Sequence, residues 1–202
     1  MQTLSDVTNF VAAQPLLMAL LRAIATLTIA DCWIGGGVIR NSVWDYLHGY
    51  PVRVTTGSDV DVVYWDLRNA SPESDLEIER RLTSNWPDIP WSVRNQARMH
   101  ERNGDPPYQS TEDACRCWPE TATAIAARLW DGQVQIVAPH GVDDLVRMIV
   151  RPTPAFDTKM SVYEHRLASK DWARRWPRLT FLSTPRARGG CCQQHPMTPS
   201  RC

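Results

Sequence analysis

Two acids at the head of a probable strand constrain this chain more than any other feature. In Ser58-Asp59-Val60-Asp61-Val62-Val63-Tyr64-Trp65 they alternate with a β-branched residue. The side-chain period of two in a strand puts Asp59 and Asp61 on one face, roughly 6–7 Å apart at the backbone. Asp is disfavoured in strands, and Val63 and Trp65 continue the same face with apolar groups. The acids therefore begin a face that otherwise enters the core. Two carboxylates converging on one point offer oxygen ligands to a hard divalent cation, which makes Asp59 and Asp61 candidate metal ligands. The plain alternative is a strand edge whose acids face water.

A second signal lies upstream. Gly35-Gly36-Gly37 follows the apolar run Cys32-Trp33-Ile34 and leads into a helical pattern. Glycines just before a helix leave backbone N–H groups free to meet an anion, with the helix dipole assisting. A phosphate cradle beside a metal-binding acid pair points to chemistry on a nucleoside triphosphate with Mg2+. Arg40 and Ser42, near the helix start, either add phosphate contacts or lie on a solvated face.

These residues resemble the active-site signature of the DNA polymerase β-type nucleotidyltransferase superfamily: Gly-Gly-Gly, a helix, then Asp-Val-Asp on a strand. The chain is more closely similar to a small bacterial family of uncharacterised nucleotidyltransferases. That similarity rests on Gly37 to Asp45 with Leu47-His48-Gly49, on Ser58 to Tyr64, and on Asn95 to His100. It continues through Trp118 to Thr121, Ala138-Pro139, Gly141 to Leu145, Lys170-Asp171-Trp172 and Trp176-Pro177. The resemblance covers about residues 15 to 182. It implies an α/β (α+β) fold, a mixed, mostly antiparallel sheet with helices packed on it. It also implies that Gly36 and Gly37 contact the triphosphate through their backbone, and that a nucleoside monophosphate moves to an acceptor hydroxyl by a two-metal mechanism.

Here the pattern departs. Two-metal phosphoryl chemistry commonly uses a third carboxylate to share a cation and take the proton of the attacking hydroxyl. In the superfamily it lies on the next strand. Ser92, in Trp91-Ser92-Val93, occupies that place and is not an acid. Asp88, Glu120 and Asp143 are the possible substitutes. Farther on, Arg98 either pairs with a phosphate and Asn95 reads a base or ribose, or both cap the adjoining loop. Two other readings share the fold: a nucleotide-binding protein without turnover, and an antitoxin-like interaction partner.

Acids and bases are equal in number, 22 each. Proteins that bind long nucleic acid usually show a clustered basic excess, so a small acceptor fits better. Leu16 to Ala30 is apolar but interrupted by Arg22, and it is shorter than the about 20 residues a membrane span needs. With no secretory signal evident, a cytoplasmic location and free thiols are expected. Cys115-x-Cys117 has no second pair at zinc-site spacing.

The spacing predicts a helix from Pro15 and a short strand at Asp31 to Ile34. It predicts a helix after Gly37, helices from Pro72 to about Leu82 and from Thr111 to Trp118, and a strand from Trp91 to Ala97. His100 to Tyr108 reads as a polar loop. Asp131-Gly132 marks a hairpin. Gly141 to Val150 and Lys159 to Arg175 read as helices. Residues 1–183 are expected to form one domain. Residues 184–202, rich in Pro, Gly, Arg and Cys without apolar period, are expected to form a disordered tail.

Overall fold

The computed structural model describes residues 1–54 and 58–184. The expectation for the tail lies outside the described residues, apart from Thr184. Helix α1 (Leu4–Ala13) starts on a capping box in which Thr3 and Asp6 satisfy each other's backbone N–H groups. Helix α2 (Pro15–Ala25), expected from Pro15 onward, follows at a bend of 87° and buries Leu17, Leu20, Leu21 and Ile24.

Strand β1 (Cys32–Ile34) leads into helix α3 (Gly36–Leu47), and strand β2 (Val60–Tyr64) into helix α4 (Pro72–Asn85) and strand β3 (Trp91–Asn95). A turn of 3₁₀ helix (Gln96–Arg98), α5 (Met99–Asn103) and α6 (Thr111–Arg116) connect β3 to the hairpin of β4 (Ala126–Trp130) and β5 (Gln133–Val137). Asp131 and Gly132 both take positive φ, 48° and 74°, as a two-residue turn of the primed type requires. After α7 (Asp143–Val146) come β6 (Ile149–Val150), α8 (Met160–Ala168), α9 (Trp172–Arg175) and β7 (Thr180–Phe181).

Among the described residues the larger sheet has strand order β3-β2-β1-β4-β5. Three of its four pairings are antiparallel; β2 and β3, joined through α4, are parallel. This is the mixed, mostly antiparallel sheet that the resemblance implied. Parity decides which face of β2 does what. Val60, Val62 and Tyr64 are buried in the main core, while Asp59, Asp61 and Val63 take the other face. A smaller apolar cluster of Trp33, Val63 and Ala126, with Trp118 and Val137 against it, continues that second face.

Three segments differ from what the spacing predicts. Gly141 to Val150 is not one helix: α7 ends at Val146, Met148 takes φ 57°, and Ile149–Val150 pairs with β7. The loop from His100 is helical through Asn103 and stops at Gly104, in the left-handed conformation at φ 65°. The last helix breaks at Ser169-Lys170-Asp171. That break lets Trp172 and Trp176 turn inward, edge-on to Trp44 at 5.7 and 5.2 Å.

Candidate active site

A cavity of about 930 Å³ opens where the N-terminus of α3, the acidic end of β2 and the α8–α9 break meet. The β1–β2 ladder extends one step beyond β1, Gly35 N–H donating to the Asp61 carbonyl at 2.7 Å. That bond carries the glycine turn directly beside the acids. Gly36 packs against the backbone of Thr123, so closely that a Cβ there would stand 1.9 Å from the Thr123 carbonyl oxygen. Gly37 is different: a Cβ there would meet only Asp61 Oδ2, at 3.6 Å. The start of α3 and the Asp61 carboxylate therefore line one space, and the first N–H groups of a helix have no acceptor within it.

Asp59 is exposed and Asp61 half-buried. Burial, and then the neighbouring Asp59 charge, push the Asp61 carboxyl above its ordinary range; Arg94, Arg166 and Arg40 pull against that. Such a carboxylate gains from any cation brought to it. Among the described residues no group of three or more His, Cys, Asp or Glu is arranged to hold a metal ion. Two carboxylates nevertheless match how Mg2+ is usually held, by one or two acids with substrate phosphates and water completing its shell.

Much of the remaining lining is cationic. Arg40 is buried between Trp172 and Trp44, its guanidinium carbon 4.2 and 5.0 Å from their ring centres, and donates to Thr123 Oγ1 at 2.6 Å. Burial lowers its pKa to about 10, so it stays charged at neutral pH. Arg166 pairs at 2.6 Å with Glu120, which is fully buried, and Arg175 pairs at 3.1 Å with Asp45. Arg174 is held by Asp171 through its Nε, at 2.9 and 2.7 Å. Lys170 lines the cavity too and has no ion pair among the described residues. Burial, Arg166 and Arg40 all lower its pKa, as expected of a cation crowded by other cations.

Five expected site residues are thus brought together: Asp59, Asp61, Gly36, Gly37 and Arg40. Three are not. Ser42 is fully buried away from the cavity. Asn95 is fully buried too. Its side chain clamps the loop after β2, donating to the carbonyls of Asp66 and Asn69 at 2.7 and 3.1 Å and accepting from Asp66 N–H at 3.1 Å. Arg98 is tied to the buried Asp75, which also accepts from Tyr64 Oη. Asn95 thus bonds the adjoining loop, while Arg98 pairs with a residue of α4.

The substitute acids fare no better. Glu120 is engaged by Arg166, and neither Asp88 nor Asp143 lines the cavity. Sequence reasoning missed Arg94, Arg166, Lys170, Asp171 and Trp172 as wall residues. Arg94 was reachable by strand parity, two residues after Ser92. Lys170-Asp171-Trp172 was visible as a motif but without a role, because an unbroken helix was expected there.

The fold around this cavity is that of a nucleotidyltransferase. The family model described as Nucleotidyltransferase matches residues 22–181, and the chain belongs to that family. Among solved structures it is similar to one described as "The NMR structure of the protein reveals a CCA-adding enzyme head domain". The two are 31% identical with a TM-score of 0.78, over 89% of this chain and 96% of that one. A "tRNA-processing enzyme (apo form I)" is 16% identical with a TM-score of 0.50, over 91% of this chain and 45% of that one, a likeness of fold. No curated protein matches.

Proposed function

We propose that the chain transfers a nucleoside monophosphate from a magnesium–nucleoside triphosphate to an acceptor small enough to share the cavity, and that pyrophosphate leaves. The observation that carries this is the meeting of Gly37 and Asp61, where a helix start and an acid pair open onto one space. In this reading the N–H groups of Gly36 and Gly37 bind triphosphate oxygens, with the positive end of the α3 dipole behind them. Asp59 and Asp61 would hold two magnesium ions. When bound, these supply charge stabilisation on the attacking and leaving oxygens.

Lys170 neutralises the β- and γ-phosphates, and the buried charge of Arg40, held by Thr123 and Asn41, adds to the field behind it. A volume of about 930 Å³ stands at the upper end of small-molecule sites, roughly 300–1,000 Å³, which leaves room for the acceptor beside the nucleotide. The absence of an acid from the cavity face of β3 favours the second reading, a nucleotide-binding protein without turnover.

One experiment separates the two. The protein is incubated with magnesium and each of the four triphosphates, and both the melting temperature and pyrophosphate release are followed. Transfer gives a magnesium-dependent melting shift and release in the presence of an acceptor. A shift without release from any acceptor supports binding alone, and no shift with any triphosphate overturns both readings.

A further inference from the structure

The acid pair faces a strand that brings it no carboxylate. Parallel pairing sets Ser92 beside Asp61 and Arg94 beside Val63, so the β3 residues on the acids' side of the sheet are a hydroxyl and a guanidinium. Among the described residues the cavity wall holds one further acid, Asp171, and Arg174 clamps it. Residues 55–57 and 185–202 contain no Asp or Glu.

A hydroxyl acceptor must lose its proton as it attacks, and the side chain that takes it must lie within hydrogen-bond reach. A phosphate or carboxylate oxygen carries its charge already at neutral pH. It needs a cation to hold it, and Arg94 is placed for that. Arg94 lines the cavity with its side chain half exposed; its Nη1 donates to the Val93 carbonyl at 2.5 Å and lies 3.7 Å from Glu79, which leaves Nε and Nη2 for an anion. The fork of an arginine suits phosphate and carboxylate alike.

We propose that the acceptor attacks through an anionic oxygen, that of a phosphate monoester or a carboxylate, held by Arg94 beside Asp61. This rests on the nucleotidyl-transfer reading above. The step balances without a base. The acceptor oxygen bonds to the α-phosphorus, the α-phosphorus bond to the bridging oxygen breaks, and pyrophosphate departs with that electron pair. No proton moves. The product is a mixed anhydride.

The test is pyrophosphate release by the full chain with magnesium and the four triphosphates. The anionic panel contains phosphomonoesters and carboxylates, including phenyl phosphate and benzoate, which have no hydroxyl. The hydroxyl panel contains glycerol, a short RNA with a free 3′-hydroxyl, and tRNA. At least a tenfold rise over the acceptor-free rate is expected with one anionic class, with the anhydride identified by mass; which class reacts distinguishes phosphate from carboxylate. Arg94→Gln should raise the acceptor KM at least tenfold with a smaller change in the triphosphate KM, and Arg94→Lys should recover part of the loss.

Release with hydroxyl acceptors alone overturns the inference and leaves nucleotidyl transfer standing. A nucleotide-dependent melting shift without release from any anion also overturns it. No shift with any triphosphate removes the nucleotide reading and this inference together. An Arg94→Gln protein with the parent's acceptor KM removes Arg94 from the role.

Discussion

Gly36 and Thr123 touch backbone to backbone, and the room for a methyl group ends there: a Cβ on Gly36 would stand 1.9 Å from the Thr123 carbonyl oxygen. Next to it, Gly37 has 3.6 Å of space, bounded by Asp61 Oδ2. Adjacent glycines in one turn therefore meet different limits, one the backbone of Thr123 and the other the Asp61 carboxylate.

The contrast gives a first prediction. Gly36→Ala should destabilise the protein by about 3 kcal/mol, the upper end of overpacking costs, because the obstacle is backbone and cannot rotate away. Gly37→Ala sits in the first turn of α3, where alanine favours the helix by about 0.5–1 kcal/mol. Its melting temperature should hold or rise, while the stabilisation given by magnesium and a triphosphate falls. Equal melting temperatures for the two variants would contradict the packing argument.

Asp61→Asn tests the acid pair. Burial and Asp59 raise the folded-state pKa of Asp61 above its unfolded value, so the folded protein favours the protonated form. The stability that this group contributes is present at low pH and lost as pH rises through the folded pKa. The asparagine variant should therefore melt at or above the parent temperature at pH 7 without metal, and that advantage should vanish near pH 3. It should also lose the shift that magnesium and a triphosphate give the parent by binding the folded state. Melting curves at the two pH values, with and without ligand, decide both halves. Magnesium alone should shift the parent little, since two carboxylates leave most of its shell to phosphate and water.

Lys170→Met probes the cationic lining in the same way. Removing a cation crowded by Arg166 and Arg40 should leave nucleotide-free stability unchanged or slightly higher. A charge-assisted hydrogen bond to phosphate contributes about 1.5–3 kcal/mol, so the triphosphate KM should rise on the order of 10–100-fold. A KM within twofold of the parent would remove Lys170 from phosphate binding.

Glu120→Gln should fail by another route. The carboxylate is fully buried and paired with Arg166 at 2.6 Å. Taking one partner from a buried pair costs about 3 kcal/mol, or on the order of 10 °C in a chain of this size. Loss of activity in this variant should track loss of fold. Full thermal stability with abolished turnover would instead make Glu120 the missing acid.

The acidic strand, the glycine turn and the Asp131-Gly132 hairpin were legible in the sequence, because each depends on neighbours a few residues apart. Period-two alternation fixed which side of β2 carries Asp59 and Asp61, and no distant residue can change that parity. Left-handed φ at Gly132 is likewise a local demand. The helix after Gly37 was legible, but the burial of Arg40, Asn41 and Trp44 along it was not.

What surrounds the acids was decided by tertiary structure. Asn95 and Arg98 have the chemistry to bind a nucleotide, yet the fold gives them Asp66, Asn69 and Asp75 as partners. Lys170 and Asp171 reach the cavity because α8 and α9 separate there, and that break lets Trp172 and Trp176 pack on Trp44, more than a hundred residues away in the chain. Burial of those indoles in a shared core is a property of the assembled chain. No local spacing records it, so the cationic wall became visible only once the core had formed.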